Sequence, residues 1–341
     1  MEKNKFLFCF VFILHYLCRD LHRKSMRRAF VHFLWGALIV IVGGIALFFI
    51  GVWNGWVGYM PDMEALQNPI DKYASQVYSG DGKLIGTWNL NKANRVAVDY
   101  NNLSPHVVHA LVATEDERYY EHSGIDFIAL GRAIVKRGFM GQESAGGGST
   151  ITQQLAKQLY SEKAHNTMER LLQKPIEWVI ATKLERLYSK EEIIQMYLNQ
   201  FDFLYNAVGV KSAAQVYFGT TPDKLTIEQS AMLVGMFKNP ALYNPIRRPE
   251  RTQNRRNVVL SQMLKYGKLT EQECDSLKQQ PLDIHFHSVD HKEGLAPYLR
   301  EYLRQVLTAK EPKESNYPSW NKQQYEIDKQ QWEQNPLYGF C

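Results

Sequence analysis

The sequence has 341 residues, with 40 Lys or Arg, 35 Asp or Glu and a formal net charge of +5. This length is enough for one large domain or two modest ones, each with a buried core. The mild charge suits an anionic membrane surface or a phosphate-bearing substrate without selecting either. Nothing resembles a nucleic-acid-binding motif, so we expect no nucleic-acid partner. The cysteines show neither a disulfide pattern nor zinc spacing: Cys9, Cys18, Cys274 and Cys341.

An apolar stretch at residues 30–53 predicts a transmembrane helix. It carries no formal charge and is long enough to cross a hydrocarbon core of roughly 30 Å. Trp35 and Trp53 at its two ends suit the membrane interfaces, and basic residues precede it: Arg19, Arg23, Lys24, Arg27 and Arg28. The positive-inside rule therefore predicts a single-pass protein of the cytoplasmic (inner) membrane. Residues 1–29 would be cytoplasmic, and everything after residue 60 would lie on the periplasmic or extracytoplasmic side.

A shorter apolar run at residues 6–18 resembles the centre of a signal peptide. No cleavage site of small residues follows it. We expect this run to be dispensable, because Met26 followed by Arg27 and Arg28 would make an equally good start.

Residues 54–104 are predicted to connect the membrane helix to the main domain. Within them, residues 76–88 predict a small β-hairpin, because Gly80 and Gly82 can take the positive φ that tight turns need. After Pro105 the pattern is helical to about Leu307, so the fold class is mainly α. We expect the main domain at 105–268 and a linker or tail at 269–341, where the part after Glu311 has little to bury.

A polar helix face begins at Glu115 and Asp116. Arg118 and His122 follow at helical spacing, so groups able to do chemistry share one face. A Glu-Asp pair is ordinarily a solvated surface, and a lone histidine is ordinarily structural. This face alone therefore does not define a site.

A glycine-rich turn at residues 146–148 comes about two dozen residues later and opens into a helix. Unpaired N–H groups and the positive end of the dipole favour an anion at a helix N-terminus. The residues able to contribute backbone, hydroxyl, amide or ammonium groups are Gly147, Ser149, Thr150, Gln153, Gln154 and Lys157. The ordinary alternative is a loop with an N-cap.

The segment between these two motifs, residues 125–140, mixes apolar and basic side chains. That composition predicts either a segment lying in the headgroup layer of a membrane or an amphipathic core helix. The segment alone does not choose between them.

A further helix is predicted around Lys174 and Glu177, which share a stripe with Ala181 and Glu185. The small Ala181 would leave space beside Glu177. We expect Glu185 to pair with Lys183 or Arg186 rather than to act as a catalyst. A capping box at Ser189 and Glu192 then predicts the start of the next helix, and Gly219 predicts a helix stop.

In order along the chain, these segments resemble the motifs of the glycosyltransferase family 51 domain. This is the peptidoglycan glycosyltransferase of class A penicillin-binding proteins and of monofunctional transglycosylases. The resemblance runs from about Met60 to Met263. Its five motifs are Glu115-Asp116 with His122 and Gly124, Gly147 to Lys157, Lys174 to Glu177, Tyr197 to Asn199, and Lys238 to Pro245.

The resemblance implies a lysozyme-like, mainly helical domain on a membrane anchor. Its activity would polymerise lipid II into glycan strands, with inversion at the anomeric carbon and release of undecaprenyl diphosphate. The implied catalytic residues are Glu115, as the base that takes the proton of the acceptor hydroxyl, and Glu177. The implied substrate-binding residues are Asp116, His122, Gly147, Ser149, Thr150, Gln153, Gln154, Lys157, Arg170, Lys174 and Asn199.

The leaving diphosphate is an anion and needs compensating positive charge. Lys157, Lys174, the glycine-rich turn or a divalent cation such as Mg²⁺ could supply that charge. Glu177 would then hold the metal, orient a cation or stabilise positive charge at the anomeric carbon, and the sequence does not choose among these. The expected partners are lipid II and lipid-linked glycan, membrane lipid, and wall-synthesis proteins.

Some positions depart from the family pattern. Gln173 stands where an arginine usually precedes Lys174, so Arg170 is expected to supply a displaced cation. Pro175 and Ile176 also differ from the common residues. Leu204 occupies a position that is usually glycine, and Tyr119 stands where Phe is commoner.

Two rival functions remain at this stage: a lysozyme-like glycan-cleaving enzyme and a non-catalytic membrane scaffold of wall synthesis. The cationic, hydroxyl-rich second motif favours diphosphate over a neutral glycan. Larger family members continue into a serine transpeptidase domain, whose signatures include Ser-x-x-Lys and Lys-Thr-Gly. Here Ser319 to Lys322 matches the first by chance and the second does not occur. We therefore expect a class A protein that lacks its transpeptidase domain.

Overall fold

The computed structural model describes residues 24–67, 75–82, 84–88, 96–133, 135, 148–161, 166–287, 296–307, 309–318 and 321–334. The apolar run at 6–18 and the predicted site residue Gly147 lie outside these ranges. Within them the chain is mainly helical, with one small hairpin, as the sequence predicts.

The helices of the described chain follow one another from the N-terminal span to the tail. They are α1 (Lys24–Trp53), α2 (Met63–Gln67), α3 (Pro105–Glu115), α4 (Phe127–Ala133), α5 (Ile151–Tyr160), α6 (Thr167–Leu187), α7 (Lys190–Gln200), α8 (Val210–Phe218), α9 (Ile227–Met236), α10 (Pro249–Lys265), α11 (Glu271–Gln279), α12 (Pro297–Leu307) and α13 (Lys322–Gln334). The strands are β1 (Ser75–Tyr78) and β2 (Leu84–Trp88).

Helix α1 contains the predicted membrane span. Phe30–Trp53 has a mean hydropathy of 2.7 in its most apolar window, and none of that window is buried inside the protein. Val40, near its middle, is 73% exposed. This helix, whose most apolar window buries nothing in the protein, has the length and composition to cross a bilayer.

The chain divides into two compact units. The first unit is Met1–Met60 with Ala164–Val179, and the second is Pro61–Lys163 with Ile180–Cys341, so the division falls inside α6. In the first unit Trp178 stacks on Phe49 of α1, with ring centroids 6.4 Å apart and planes 7° from parallel. Ile176 lies against Gly58, where a Cβ would come within 2.3 Å of its Cδ1. The first half of α6 thus packs on the C-terminal end of α1.

The predicted hairpin is confirmed in the second unit. β1 and β2 pair antiparallel, with Ser75 opposite Trp88. The N–H of Gly82 donates to the carbonyl of Ser79 at 2.9 Å, and Gly82 has a φ of +79°. Glycine adopts this φ without the steric penalty of a Cβ, so it closes the turn.

The core of the second unit lies where α3, α9 and α10 pack on one another, while α5 packs on α7. Helix α9 is buried continuously from Ser230 to Met236. Local signals set the helix ends as predicted: Ser189 and Glu192 form a capping box at the start of α7, and Gly219 ends α8 in the left-handed conformation.

Helix α4 is the described part of the segment between the first two motifs. It buries none of its residues, and Phe127 and Ile128 are 70% and 65% exposed. Ala129, Leu130 and Ala133 are half-buried, so the choice between a headgroup segment and an amphipathic core helix stays a prediction. Residues 134 and 136–147 lie outside the described ranges.

The loop after α7 explains why glycine is usual at the position that Leu204 occupies. Leu204, Tyr205 and Asn206 all have positive φ, at 69°, 52° and 60°. The loop is closed by an antiparallel bridge between Asp202 and Val208. A left-handed conformation costs a residue with a Cβ roughly 1–2 kcal/mol, so Leu204 adds strain that a glycine would not.

We expect Leu204→Gly to be more stable than Leu204→Ala, by about 1 kcal/mol after allowance for the greater unfolded-state entropy of glycine. Both variants lose the side chain beyond Cβ, so their difference reports the backbone strain less the unfolded-state entropy of glycine. Chemical unfolding of the two solubilised proteins measures it. The same pair at Leu242, where φ is not positive, should show the opposite order, and a more stable Ala variant at position 204 would refute the strain.

Candidate active site

Glu115 is the last residue of α3, and its carboxylate is approached from two other helices. Its Oε2 accepts a hydrogen bond from Gln154 Nε2 of α5 at 3.0 Å. Its Oε1 lies 3.9 Å from Nη2 of Arg255, which α10 carries. The side chain of Glu115 is 17% exposed. One oxygen is thus fixed by a direct bond, while the other faces a cation beyond hydrogen-bonding distance.

Gln154 is itself oriented by Tyr197 of α7. The Tyr197 hydroxyl donates to Gln154 Oε1 at 2.9 Å. Burial, with a smaller contribution from Glu115, raises the pKa of Tyr197 well above its ordinary value. Because Tyr197 therefore keeps its proton as a donor, the amide oxygen of Gln154 faces the tyrosine and its NH₂ group faces Glu115.

Asp116 and His122 join the first motif to the start of α5. Nε2 of His122 lies 3.1 and 3.0 Å from the two oxygens of Asp116. Gly124 donates its N–H to His122 Nδ1 at 3.2 Å, which places the ring proton on Nε2. Oδ2 of Asp116 also accepts the N–H of Ile151 at 3.0 Å. His122 therefore joins the first motif to α5 through Asp116, and the substrate contacts implied for both residues remain predictions.

The second motif uses several of its polar groups inside the fold. Thr150 caps α5 by accepting the N–H of Gln153 at 3.2 Å, and its hydroxyl donates to the carbonyl of Gly124 at 2.8 Å. Gln153 Nε2 donates to the same carbonyl at 3.1 Å. The carboxylate of Asp116 already accepts a hydrogen bond from the first N–H of α5. The anion at this helix N-terminus is therefore the protein's own side chain.

Ser149 and Lys157 lie nearer the surface than Thr150 and Gln153. Ser149 is half-buried and Lys157 is exposed. Their predicted contacts with substrate remain predictions, as does that of Gly147.

Gly124 lies against the backbone of α6. Its φ is +90°, and a Cβ there would come within 3.0 Å of the carbonyl carbon and oxygen of Ala181. We expect Gly124→Ala to lower the free energy of unfolding by about 2–3 kcal/mol, because strain from the positive φ adds to a backbone clash. Gly219→Ala is the control, since Gly219 has a φ of +65° but open space around it. Its loss should stay near 1 kcal/mol; equal losses in urea unfolding would refute the clash.

Glu185 ties the loop that carries His122 to α7. Its Oε1 lies 2.8 Å from Lys190 Nζ and accepts from Thr152 Oγ1 at 2.6 Å. Lys190 also donates to the carbonyl of His122 at 2.7 Å. Glu185 thus has the predicted ion-pairing role, but its partner here is Lys190 rather than Lys183 or Arg186, since α7 brings Lys190 back over the loop.

Both polar groups of the Asn199 side chain form hydrogen bonds with the backbone of one residue. Its Oδ1 accepts the N–H of Val98 at 3.1 Å, and its Nδ2 donates to the carbonyl of Val98 at 2.9 Å. The residue is 1% exposed. It anchors the segment before α3, and the substrate contact predicted for it would require these bonds to be exchanged.

Glu177 belongs to the first unit, where two cations share its carboxylate. Its side chain is fully buried, and Arg170 Nη1 lies 3.0 Å from Oε1 while Lys174 Nζ lies 2.8 Å from Oε2. Arg170 also donates to Gln173 Oε1 at 3.3 Å. The displaced cation expected from the sequence is therefore present on the same helical stripe. Two cations thus flank this one carboxylate, and their side chains are 38% and 32% exposed.

Arg255 and the hydroxyl of Tyr197 are the groups that the predicted site omits. Tyr197 falls in the fourth motif, so its position was visible although its role was not. Arg255 follows the fifth motif in a run of arginines and was indistinguishable there from its neighbours. Arg256, next to it, is fully buried and donates to the carbonyls of Gln280 at 2.6 Å and Pro281 at 3.0 Å, so it is structural.

Comparison with known proteins assigns the family. The sequence profile of the family described as Transglycosylase matches residues 81–264. This is more than half of the chain, and the chain belongs to the transglycosylase family. The matched range contains Glu115, Glu177, Gln154 and Arg255.

Several curated relatives carry the same type of name. Penicillin-binding protein 1A of Escherichia coli is 38% identical over 248 residues, which cover 73% of this chain and 28% of that protein. Penicillin-binding protein 1A of Aquifex aeolicus is 38% identical over 250 residues, covering 73% and 33%. A crystal structure of penicillin-binding protein 1A from Haemophilus influenzae matches with 24% identity and a TM-score of 0.36, over 70% of this chain and 24% of that one. The chain thus spans about a third or less of the length of these relatives.

Proposed function

We propose that this protein is a peptidoglycan glycosyltransferase that polymerises lipid II into glycan strands. The observation that carries the proposal is the placement of Glu115 within the transglycosylase match. Gln154 orients one of its oxygens, and the other lies 3.9 Å from Arg255 without a direct bond to it. That second oxygen is available to take a proton.

In the proposed reaction, the acceptor hydroxyl, Glu115 and the diphosphate each take part in one step. The 4-hydroxyl oxygen of the acceptor lipid II attacks the anomeric carbon of the lipid-linked glycan, and its proton passes to Glu115. The bond from the anomeric carbon to the diphosphate oxygen breaks, and undecaprenyl diphosphate leaves with the electron pair from the opposite face, which inverts the centre. A positioned carboxylate base contributes roughly 10²–10⁴-fold to such a step.

On the strength of the family resemblance, Arg170 and Lys174 are proposed to bind the diphosphate. Both cations flank Glu177, and their side chains are 38% and 32% exposed. Trp178, beside Glu177 in sequence, stacks on Phe49 in the last turns of α1. A diphosphate carried on a lipid lies at the membrane interface, so these contacts support a headgroup site near the end of the span.

The orientation in the membrane is part of the proposal. Basic residues precede the apolar span of α1, Phe30–Trp53, which supports a cytoplasmic N-terminus and a periplasmic catalytic domain. The exposed Phe127 and Ile128 of α4 supply apolar surface suited to contact with membrane lipid. Wall-synthesis proteins are the proposed protein partners, on the strength of the family alone.

We also propose that a divalent cation such as Mg²⁺ would arrive with the substrate diphosphate. A resident metal does not fit the side chains, because Arg170 and Lys174 already occupy the carboxylate of Glu177. Within the described residues, no group of three or more His, Cys, Asp or Glu side chains is placed to hold a metal ion. Mg²⁺ commonly binds through substrate phosphates with few protein ligands.

Labelled lipid II tests the function directly. The full chain in detergent should convert it to long glycan, while Glu115→Gln should not. Shortening of preformed glycan without any polymer would establish the glycan-cleaving alternative instead. An inactive wild type with normal thermal unfolding would favour the membrane scaffold.

A further inference from the structure

We propose that Arg255 is a positioning residue that holds the Glu115 carboxylate ready to accept a proton, without itself bonding to the accepting oxygen. This inference rests on the proposed function for its kinetic consequences. Its structural basis is the crossing of α9 and α10, and this packing does not involve the substrate.

Gly235 makes the crossing close enough. A Cβ at Gly235 would lie 3.1 Å from Arg255 Cγ and 3.7 Å from the Arg255 carbonyl carbon. The absence of a side chain on α9 therefore lets the stem of Arg255 run directly over it. Any larger residue at this point would push the arginine away from its present path.

The guanidinium is hydrogen-bonded at one end and faces Glu115 at the other. Its Nε donates to the carbonyl of Gly235 at 3.3 Å, in the last turn of α9, where helical carbonyls lack partners. Its Nη2 then reaches to 3.9 Å from Glu115 Oε1, and its carbon lies 5.8 Å from the ring centroid of Tyr243. The Arg255 side chain is 13% exposed, so little water screens its charge.

The distance of 3.9 Å decides the role. A direct bond at about 2.8 Å would occupy Oε1 and compete with the acceptor hydroxyl. At the longer distance the positive charge still faces the carboxylate, while the lone pairs of Oε1 stay open. Gln154 thus sets the orientation of Glu115 through a hydrogen bond, and Arg255 acts on the same carboxylate by placing a positive charge beside it.

Kinetics of lipid II polymerisation by the solubilised full chain test this role. We expect Arg255→Gln to lower kcat by about 10–100-fold with KM for lipid II changed less than about twofold, since Arg255 acts through Glu115. Arg255→Lys keeps the charge and should recover at least about a third of the lost rate. Arg251→Gln is the control, because Arg251 is exposed on the same helix and should retain the wild-type rate.

Two further results separate positioning from other roles. In a Glu115→Gln background, Arg255→Gln should cause no additional loss of rate. A large rise in KM with kcat preserved, or an additional loss in that background, would show that Arg255 binds substrate and would overturn the proposal.

Stability provides a readout that does not depend on the reaction. The unfolding midpoints of wild type, Glu115→Gln, Arg255→Gln and the double variant form a double-mutant cycle. Non-additive shifts would support the coupling of Arg255 to Glu115 even if the wild type failed to polymerise lipid II. That failure would refute the proposed function but not the coupling. Additive shifts would overturn the coupling itself.

Discussion

Glu115→Gln is expected to lower the rate of lipid II polymerisation by roughly 10²–10⁴-fold, because the proton of the acceptor hydroxyl then has no base at the reacting centre. The amide keeps the shape of the carboxylate and can still accept the hydrogen bond that Gln154 donates to position 115. Substrate contacts therefore persist, and we expect the loss in kcat with KM nearly unchanged. Initial rates over a range of lipid II concentrations measure both constants.

Glu121→Gln is the matched control for this substitution. Glu121 lies six positions further along the chain, but its side chain is 64% exposed and pairs with Arg118. An exposed ion pair contributes little to stability, so this variant should polymerise at a rate close to wild type. Full polymerisation by Glu115→Gln would remove Glu115 from the role of base and leave the transglycosylase fold without an assigned proton acceptor.

The features that the sequence predicts well are those that a few neighbouring residues determine. The capping box of Ser189 and Glu192 forms because both partners lie within one turn of the same helix. The hairpin turn at Gly82 and the helix stop at Gly219 depend on the φ that glycine permits. Length and composition were likewise sufficient for the apolar span in α1.

The features that it did not predict depend on the path of the chain between distant residues. The sequence predicts an anion site at the N-terminus of α5. In the structure the carboxylate of Asp116, 35 positions earlier in the chain, accepts the first N–H of this helix. Glu185 pairs with Lys190 because α7 folds back over the loop. Arg255 reaches Glu115 only because α10 crosses α9 at Gly235. No local pattern encodes these approaches.

The departures from the family pattern have physical consequences of different kinds. Arg170 reaches Glu177 from one turn before Lys174, so the charge lost at Gln173 is restored on the same stripe. Leu204 has no such replacement, because its left-handed backbone stays strained with any side chain that has a Cβ. The first departure keeps two cations beside Glu177, whereas the second is expected to lower stability.

Glu177→Gln is expected to lower kcat/KM by roughly 10²-fold through its effect on two cations. Oε1 of the amide can still accept from Arg170, which lies 3.0 Å from it in wild type. The NH₂ group would then take the place of Oε2 and face the ammonium of Lys174 across 2.8 Å. Two donors cannot bond to each other, so we expect Lys174 to move from its position and to lose the contact with the diphosphate that is proposed for it.

A second substitution separates this displacement from the loss of charge. Lys174→Met removes the ammonium but leaves Glu177 paired with Arg170, so we expect a loss of about 10-fold. If displacement of Lys174 accounts for part of the Glu177→Gln defect, the double variant will be no slower than Glu177→Gln alone. Glu169→Gln, in the first turn of the same helix, should keep its rate. A double variant that loses the product of both single effects would instead show that Glu177 and Lys174 act independently, with Glu177 stabilising positive charge at the anomeric carbon.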